Sequence, residues 1–168
     1  MQPARDPVRA KYLHRIKVKS WKQIFQANGQ EKKAEVTILI SDKTDFKRRA
    51  VKRDPEGHFI ILKGRIHQED INIVNIYAPN KGAPKYIKKI LEDFKKDIDS
   101  NTIIVGDFNT PLSKTDRSSK QNIKKDIVSL NNNLDEMDFT DIYRAFHPKE
   151  AKYIFFSSVH ETFSKLTP

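Results

Sequence analysis

The run Thr102-Ile103-Ile104-Val105, followed at once by Gly106-Asp107-Phe108-Asn109-Thr110-Pro111, constrains this chain more than any other stretch. A continuous β-branched segment reads as a strand buried on both faces. Gly106 then removes side-chain bulk, and Pro111 prevents return to a ladder. A carboxylate and an amide two residues apart, at the mouth of such a strand, cost free energy in a core and are useful at a site. Asp107 can accept a proton or hold a metal, and Asn109 can donate to a phosphate oxygen. An Asx turn that simply ends the strand explains the same residues equally well.

Around this stretch the chain alternates short strands with two amphipathic segments. His14–Lys19 reads as a short strand ending at Trp21, with Trp21, Ile24 and Phe25 facing inward. Asn28-Gly29 is a turn signal, and Val36–Ile40 is the first clear core strand. Ser41–Lys47 reads as a polar connection and Asp54-Pro55-Glu56-Gly57 as a turn. His58–Gly64 and Ile71–Tyr77 read as paired strands, with Gln68-Glu69-Asp70 turning between them. A helix is expected from Pro84, burying Ile87, Ile90, Leu91, Phe94 and Ile98. A polar loop, Ser113–Ser119, precedes a second helix over 120–137 that buries Ile123, Ile127, Leu130, Leu134 and Met137. Residues 153–157 and 162–165 read as a hairpin around Ser158-Val159-His160-Glu161. Strand, helix, strand in this order predicts an α/β layered domain.

The 168 residues suffice for one domain with a real core. The chain has no cysteine, which excludes a disulfide framework and a thiolate metal site. No apolar run reaches membrane-spanning length, and Met1–Ala10 has no apolar signal core, so a nuclear or cytoplasmic protein is expected. The net charge of +10 is concentrated. Residues 1–54 carry 15 Lys/Arg against 6 Asp/Glu, whereas residues 55–168 carry 17 against 16. A one-sided field of this kind suits a polyanion such as nucleic acid, although a merely solvated lysine-rich surface gives the same count.

Several motifs carry a family resemblance. They are Asn75-Ile76-Tyr77-Ala78-Pro79-Asn80, Val105-Gly106-Asp107-Phe108-Asn109-Thr110-Pro111-Leu112 and Tyr143-Arg144 with His147-Pro148. Phe25-Gln26-Ala27-Asn28-Gly29 and Ser41-Asp42-Lys43-Thr44-Asp45-Phe46 add to them. Together they resemble the endonuclease domain of long interspersed, non-LTR retrotransposons, within the endonuclease/exonuclease/phosphatase superfamily. The resemblance runs from about residue 11 to 166, which leaves residues 1–10 outside it and expected to be disordered.

The resemblance implies a two-layer β-sandwich flanked by helices, DNase I-like and incomplete at both termini. It implies Mg²⁺-assisted hydrolysis of a DNA phosphodiester, with DNA as partner and neither a membrane nor a small-molecule cofactor. Carried over, Asp107 orients or deprotonates the water, Asn109 holds the phosphate, and Tyr77 donates its hydroxyl to it. A strand-end aromatic capping the sheet is the simpler account of Tyr77 alone. The segment holding Ser157, Ser158, His160 and Thr162 resembles the hairpin that enters the DNA minor groove.

The sequence also departs from that pattern. The family's metal-binding Glu would fall near Arg5, beside Asp6 and Pro7, and Thr167 stands where a site Asp is expected. The family's closing Ser-Asp-His has no counterpart before Pro168, Ile154 replaces a Thr, and Glu35 replaces a Gly. No intact metal set is therefore expected. Groups that act as one catalytic unit fail together, so negligible phosphodiesterase activity is expected. The other readings of the chain are a non-catalytic nucleic-acid-binding remnant, an inert translated fragment and, more weakly because the motifs point to DNA, a small-molecule phosphatase of the same superfamily.

Overall fold

A computed structural model describes residues 21–29, 34–112, 124–146, 155–157 and 162–164. Strand β1 (Trp21–Asn28) and strand β2 (Glu35–Ser41) form an antiparallel pair; Asn28, of the expected Asn28-Gly29 turn, is the last residue of β1. Alternation along β2 buries Val36, Ile38 and Ile40. Four further strands form a mixed sheet in the order β3 (Phe46–Arg53), β4 (Phe59–Ile66), β5 (Glu69–Tyr77), β6 (Thr102–Asp107). The first three pair antiparallel, and β5 and β6 run parallel. A parallel pair needs a crossover, and helix α1 (Ala83–Asp93) with one 3₁₀ turn at Lys95–Asp97 supplies it.

The two faces of this sheet bury different partners. On one, Ile60 and Leu62 of β4 and Phe46 of β3 pack against Phe25, Ile38 and Ile40 of the β1–β2 pair, forming a β-sandwich. On the other, Ile61, Val74 and Ile76 pack beneath Ile87, Ile90 and Leu91 of α1 and Leu130 of helix α2 (Lys125–Glu136). Each fully buried aliphatic side chain contributes on the order of 2 kcal/mol. Lys88 donates to Ser129 at 2.9 Å and ties the two helices together. A short helix α3 (Ile142–Phe146) follows, and strands β7 (Phe155–Ser157) and β8 (Thr162–Ser164) pair antiparallel as expected.

Several expectations need correction. The segment read as a polar connection ends at Thr44 or Asp45, and Phe46–Arg53 is a strand. Lys47, Arg48, Arg49, Lys52 and Arg53 are tolerated there because β3 is an edge strand, and the register bulges between Arg48 and Ala50. The turn between β4 and β5 is His67-Gln68, both at positive φ (50° and 72°), so Glu69 and Asp70 already belong to β5. Trp21 is 39% exposed and does not face inward. Among the described residues the strand expected to be buried on both faces lies at the other edge of the sheet, and Ile103 is also 39% exposed. The expected strand at His14–Lys19, the loop at Ser113–Ser119, residues 120–123 of the second helix and residues 1–10 lie outside the described residues.

Candidate functional site

The parallel register places Tyr77 opposite Asp107 at the carboxyl ends of β5 and β6. Paired residues point to the same face, so both side chains share one mouth. Beyond them Ala78 N–H donates to the Asp107 carbonyl at 2.8 Å and keeps the two chains together. Gly106 permits this closeness: it adopts φ +132°, and a Cβ there would lie 1.9 Å from the Ile76 carbonyl oxygen. The following loop is pinned from behind. Phe108 is buried in the helix-side core, Thr110 is buried, and Asn131 of α2 donates to the Leu112 carbonyl at 2.7 Å.

Asn109 has φ 46°, and its N–H donates to Asp107 Oδ1 at 3.1 Å, the Asx turn anticipated from the sequence. Its Nδ2 donates to the Ala78 carbonyl at 2.6 Å. That bond fixes the amide orientation, because a carbonyl only accepts, and it leaves Oδ1 and the second N–H available. The turn and the site are thus the same structure. Tyr77 and Asp107 are register partners, Asn109 bonds to Asp107 and to Ala78, and Asp107 Oδ2 takes no part in the turn.

A second group of residues, which the sequence reading did not single out as a site, adjoins this mouth. Asp54 Oδ2 accepts the His58 backbone N–H at 2.8 Å, and Tyr77 N–H donates to the His58 carbonyl at 2.7 Å. His58 Nδ1 lies 3.0 Å from the Tyr77 carbonyl, so Nδ1 carries the hydrogen. The imidazole lies parallel to the Tyr77 ring, 10° between planes and 6.1 Å between centroids, and meets Tyr86 of α1 edge-on at 5.6 Å. Burial pushes the Tyr86 phenol well above its ordinary range, and the charges of Asp54 and then Glu56 add to the effect. Tyr86 therefore keeps its hydroxyl proton. Only the turn signal before His58 hinted at this group; its contact with Tyr77 spans 19 positions of chain.

Ser157 and Thr162 are backbone register partners in the β7–β8 pair, while Ser158 and His160 lie outside the described residues. Among the described residues no three His, Asp or Glu side chains gather as a metal centre, and no helix is long and apolar enough to cross a membrane.

No protein-family model matches the chain. The solved endonuclease domain of TRAS1, a telomere-specific non-LTR retrotransposon, superposes with TM-score 0.60 at 13% identity, over 86% of this chain and 64% of that one. The chain has the DNase I-like fold. It therefore spans about 64% of the length of that DNase I-like relative. A truncated TDP2 from Caenorhabditis elegans aligns with TM-score 0.39 and 16% identity, over 53% of this chain and 41% of that one. Beta toxin from Staphylococcus aureus aligns with TM-score 0.43 and 13% identity, over 68% and 50%. These last two overlaps are too partial to define a fold by themselves.

Proposed function

We propose that this chain is a partial DNA endonuclease domain of retrotransposon type, acting in the nucleus or cytoplasm, that binds DNA phosphate and hydrolyses it negligibly. The observation that supports the reading is the register of Tyr77 with Asp107, and the bonding of Asn109 to Asp107 and Ala78, at the strand ends of a DNase I-like fold. There the Tyr77 hydroxyl and the second Asn109 amide hydrogen donate to non-bridging phosphate oxygens. The remaining Asp107 oxygen accepts from a water placed against phosphorus.

At this mouth Asp107 is the one described carboxylate that would hold a Mg²⁺ ion. One Asp107 oxygen is engaged by Asn109 N–H, and no trio of His, Asp or Glu gathers among the described residues. Without a strong electrophile on the phosphoryl oxygens, positioning and two neutral donors leave most of the barrier in place.

The test has two parts. Plasmid nicking with and without Mg²⁺ is expected to stay at background for the wild-type chain; turnover that disappears in Asp107→Ala refutes the impairment. Affinity for a labelled duplex is expected to fall steeply with salt, as counterion release requires, and to fall further in Tyr77→Phe. Absence of any salt-sensitive binding favours the inert-fragment reading instead.

A further inference from the structure

We propose that His58 is a further phosphate-contacting residue of this mouth, making the chain's affinity for nucleic acid dependent on pH. The inference rests on the reading of the Tyr77–Asp107 mouth as a phosphate site. His58 is held in place by three independent contacts. Its backbone N–H is bound by Asp54, its carbonyl by Tyr77 N–H, and its Nδ1–H by the Tyr77 carbonyl. Two aromatic faces, the Tyr77 ring alongside and the Tyr86 ring edge-on, fix the plane of the imidazole. Among the described residues its Nε2 has no hydrogen-bond partner.

An oriented ring with one nitrogen engaged and the other free is the arrangement of an imidazole that acts through its second nitrogen. Neutral, His58 presents a lone pair at Nε2, which repels a phosphate oxygen. Protonated, it presents an N–H and a positive charge on a ring stacked alongside that of Tyr77, which attracts one. Imidazole is the side chain whose charge changes between pH 5 and 8. The charged and titratable groups around it are Asp54 and Glu56 from the turn before it, Tyr77 and, opposite Tyr77, Asp107 from the strand ends, and Tyr86 from α1. Tyr86 is held neutral by burial and by those two carboxylates.

The measurement is duplex affinity by fluorescence anisotropy at pH 5.5 and pH 8, each over a series of KCl concentrations. Wild type is expected to bind about tenfold tighter at the lower pH, with a salt slope steeper by about one phosphate contact. His58→Asn keeps an amide donor for the Tyr77 carbonyl but cannot carry charge. It is expected to lose most of that gain and the extra slope, so the other four histidines of the chain are controlled for. A second readout needs no variant: in wild type, adding duplex must raise the pH at which the His58 ring hydrogens titrate by NMR. Equal pH and salt dependence in wild type and His58→Asn, or a His58 titration indifferent to DNA, overturns this proposal alone. Absence of duplex binding at both pH values overturns it together with the phosphate-site reading.

Discussion

Replacing Gly106 with alanine tests the geometry of the mouth directly. The new Cβ would sit 1.9 Å from the Ile76 carbonyl oxygen and 2.7 Å from the Ile76 nitrogen, where ordinary contact begins at 3.4 Å. Relief requires β5 and β6 to separate by about 1.5 Å at that point, enough to break ladder hydrogen bonds rather than stretch them. Two lost bonds cost about 2 kcal/mol, and an L-residue forced to φ +132° adds about 1–3 kcal/mol. The sum, about 3–5 kcal/mol, is a large share of a typical domain's 5–15 kcal/mol. Gly82 is the control. It has φ +74°, but nothing lies within 4 Å of a Cβ built there, so Gly82→Ala isolates the conformational part at about 1 kcal/mol. Urea unfolding followed by circular dichroism measures both, and the midpoint should fall far more for Gly106→Ala. Equal costs for the two variants would mean that Ile76 and Gly106 are not in contact, and the register that places Tyr77 against Asp107 would fail with it.

Other perturbations have equally defined outcomes. Leu130→Ala removes a fully buried side chain from the helix-side core and should cost about 3 kcal/mol in the same unfolding assay. Asn131→Ala leaves the Leu112 carbonyl without its donor and should cost about 1–2 kcal/mol; amide hydrogen exchange should quicken first at Phe108–Leu112. The hydrogen bond from Lys63 holds the Asp97 carboxyl below its ordinary range. The folded-state value is depressed, so this small contribution is present above the usual carboxylate range and disappears as pH falls through the folded value; Lys63→Met should return the Asp97 titration toward normal by NMR. The Tyr86 phenol is raised, so its contribution is complete below about pH 10 and is lost as pH rises beyond that. Tyr86→Phe should therefore flatten the alkaline fall in stability.

What the sequence disclosed follows from which signals are local. The β-branched run at 102–105 and the turn chemistry of Gly106, Asp107, Asn109 and Pro111 lie within ten residues, and the mouth built from them was legible. Helical spacing placed Ile87, Ile90, Leu91 and Leu130 in the core. Strand β3 was not legible, because Lys47, Arg48, Arg49, Lys52 and Arg53 show no apolar alternation. Its place comes from pairing with β4 and from long side chains finding partners elsewhere. Lys52 lies 4.2 Å over the Phe94 ring, Arg49 shares Asp70 with Arg65, and Arg53 donates to the Gln26 carbonyl. His58 was hidden for a related reason. Only the β4–β5 register brings it to Tyr77, and register is not written in either strand alone.

The position of β6 explains why the chemistry-bearing residues sit where they do. An interior strand hydrogen-bonds on both sides, and its end is crowded by two neighbours. Among the described residues strand β6 pairs with β5 alone within its sheet, and every residue along it is at least partly accessible. Asp107 and Asn109 can therefore stay solvated enough to remain polar while being fixed on one side by Tyr77 and Ala78. The cost of that openness is weak support, since one ladder cannot hold a loop against fraying. The helix layer supplies the missing support, through Phe108 in its core and Asn131 on the Leu112 carbonyl. Rigidity at this mouth thus comes from two sides, from the β5 end through Ala78 and from α2 through Asn131, with Asp107 and Asn109 between them in the chain.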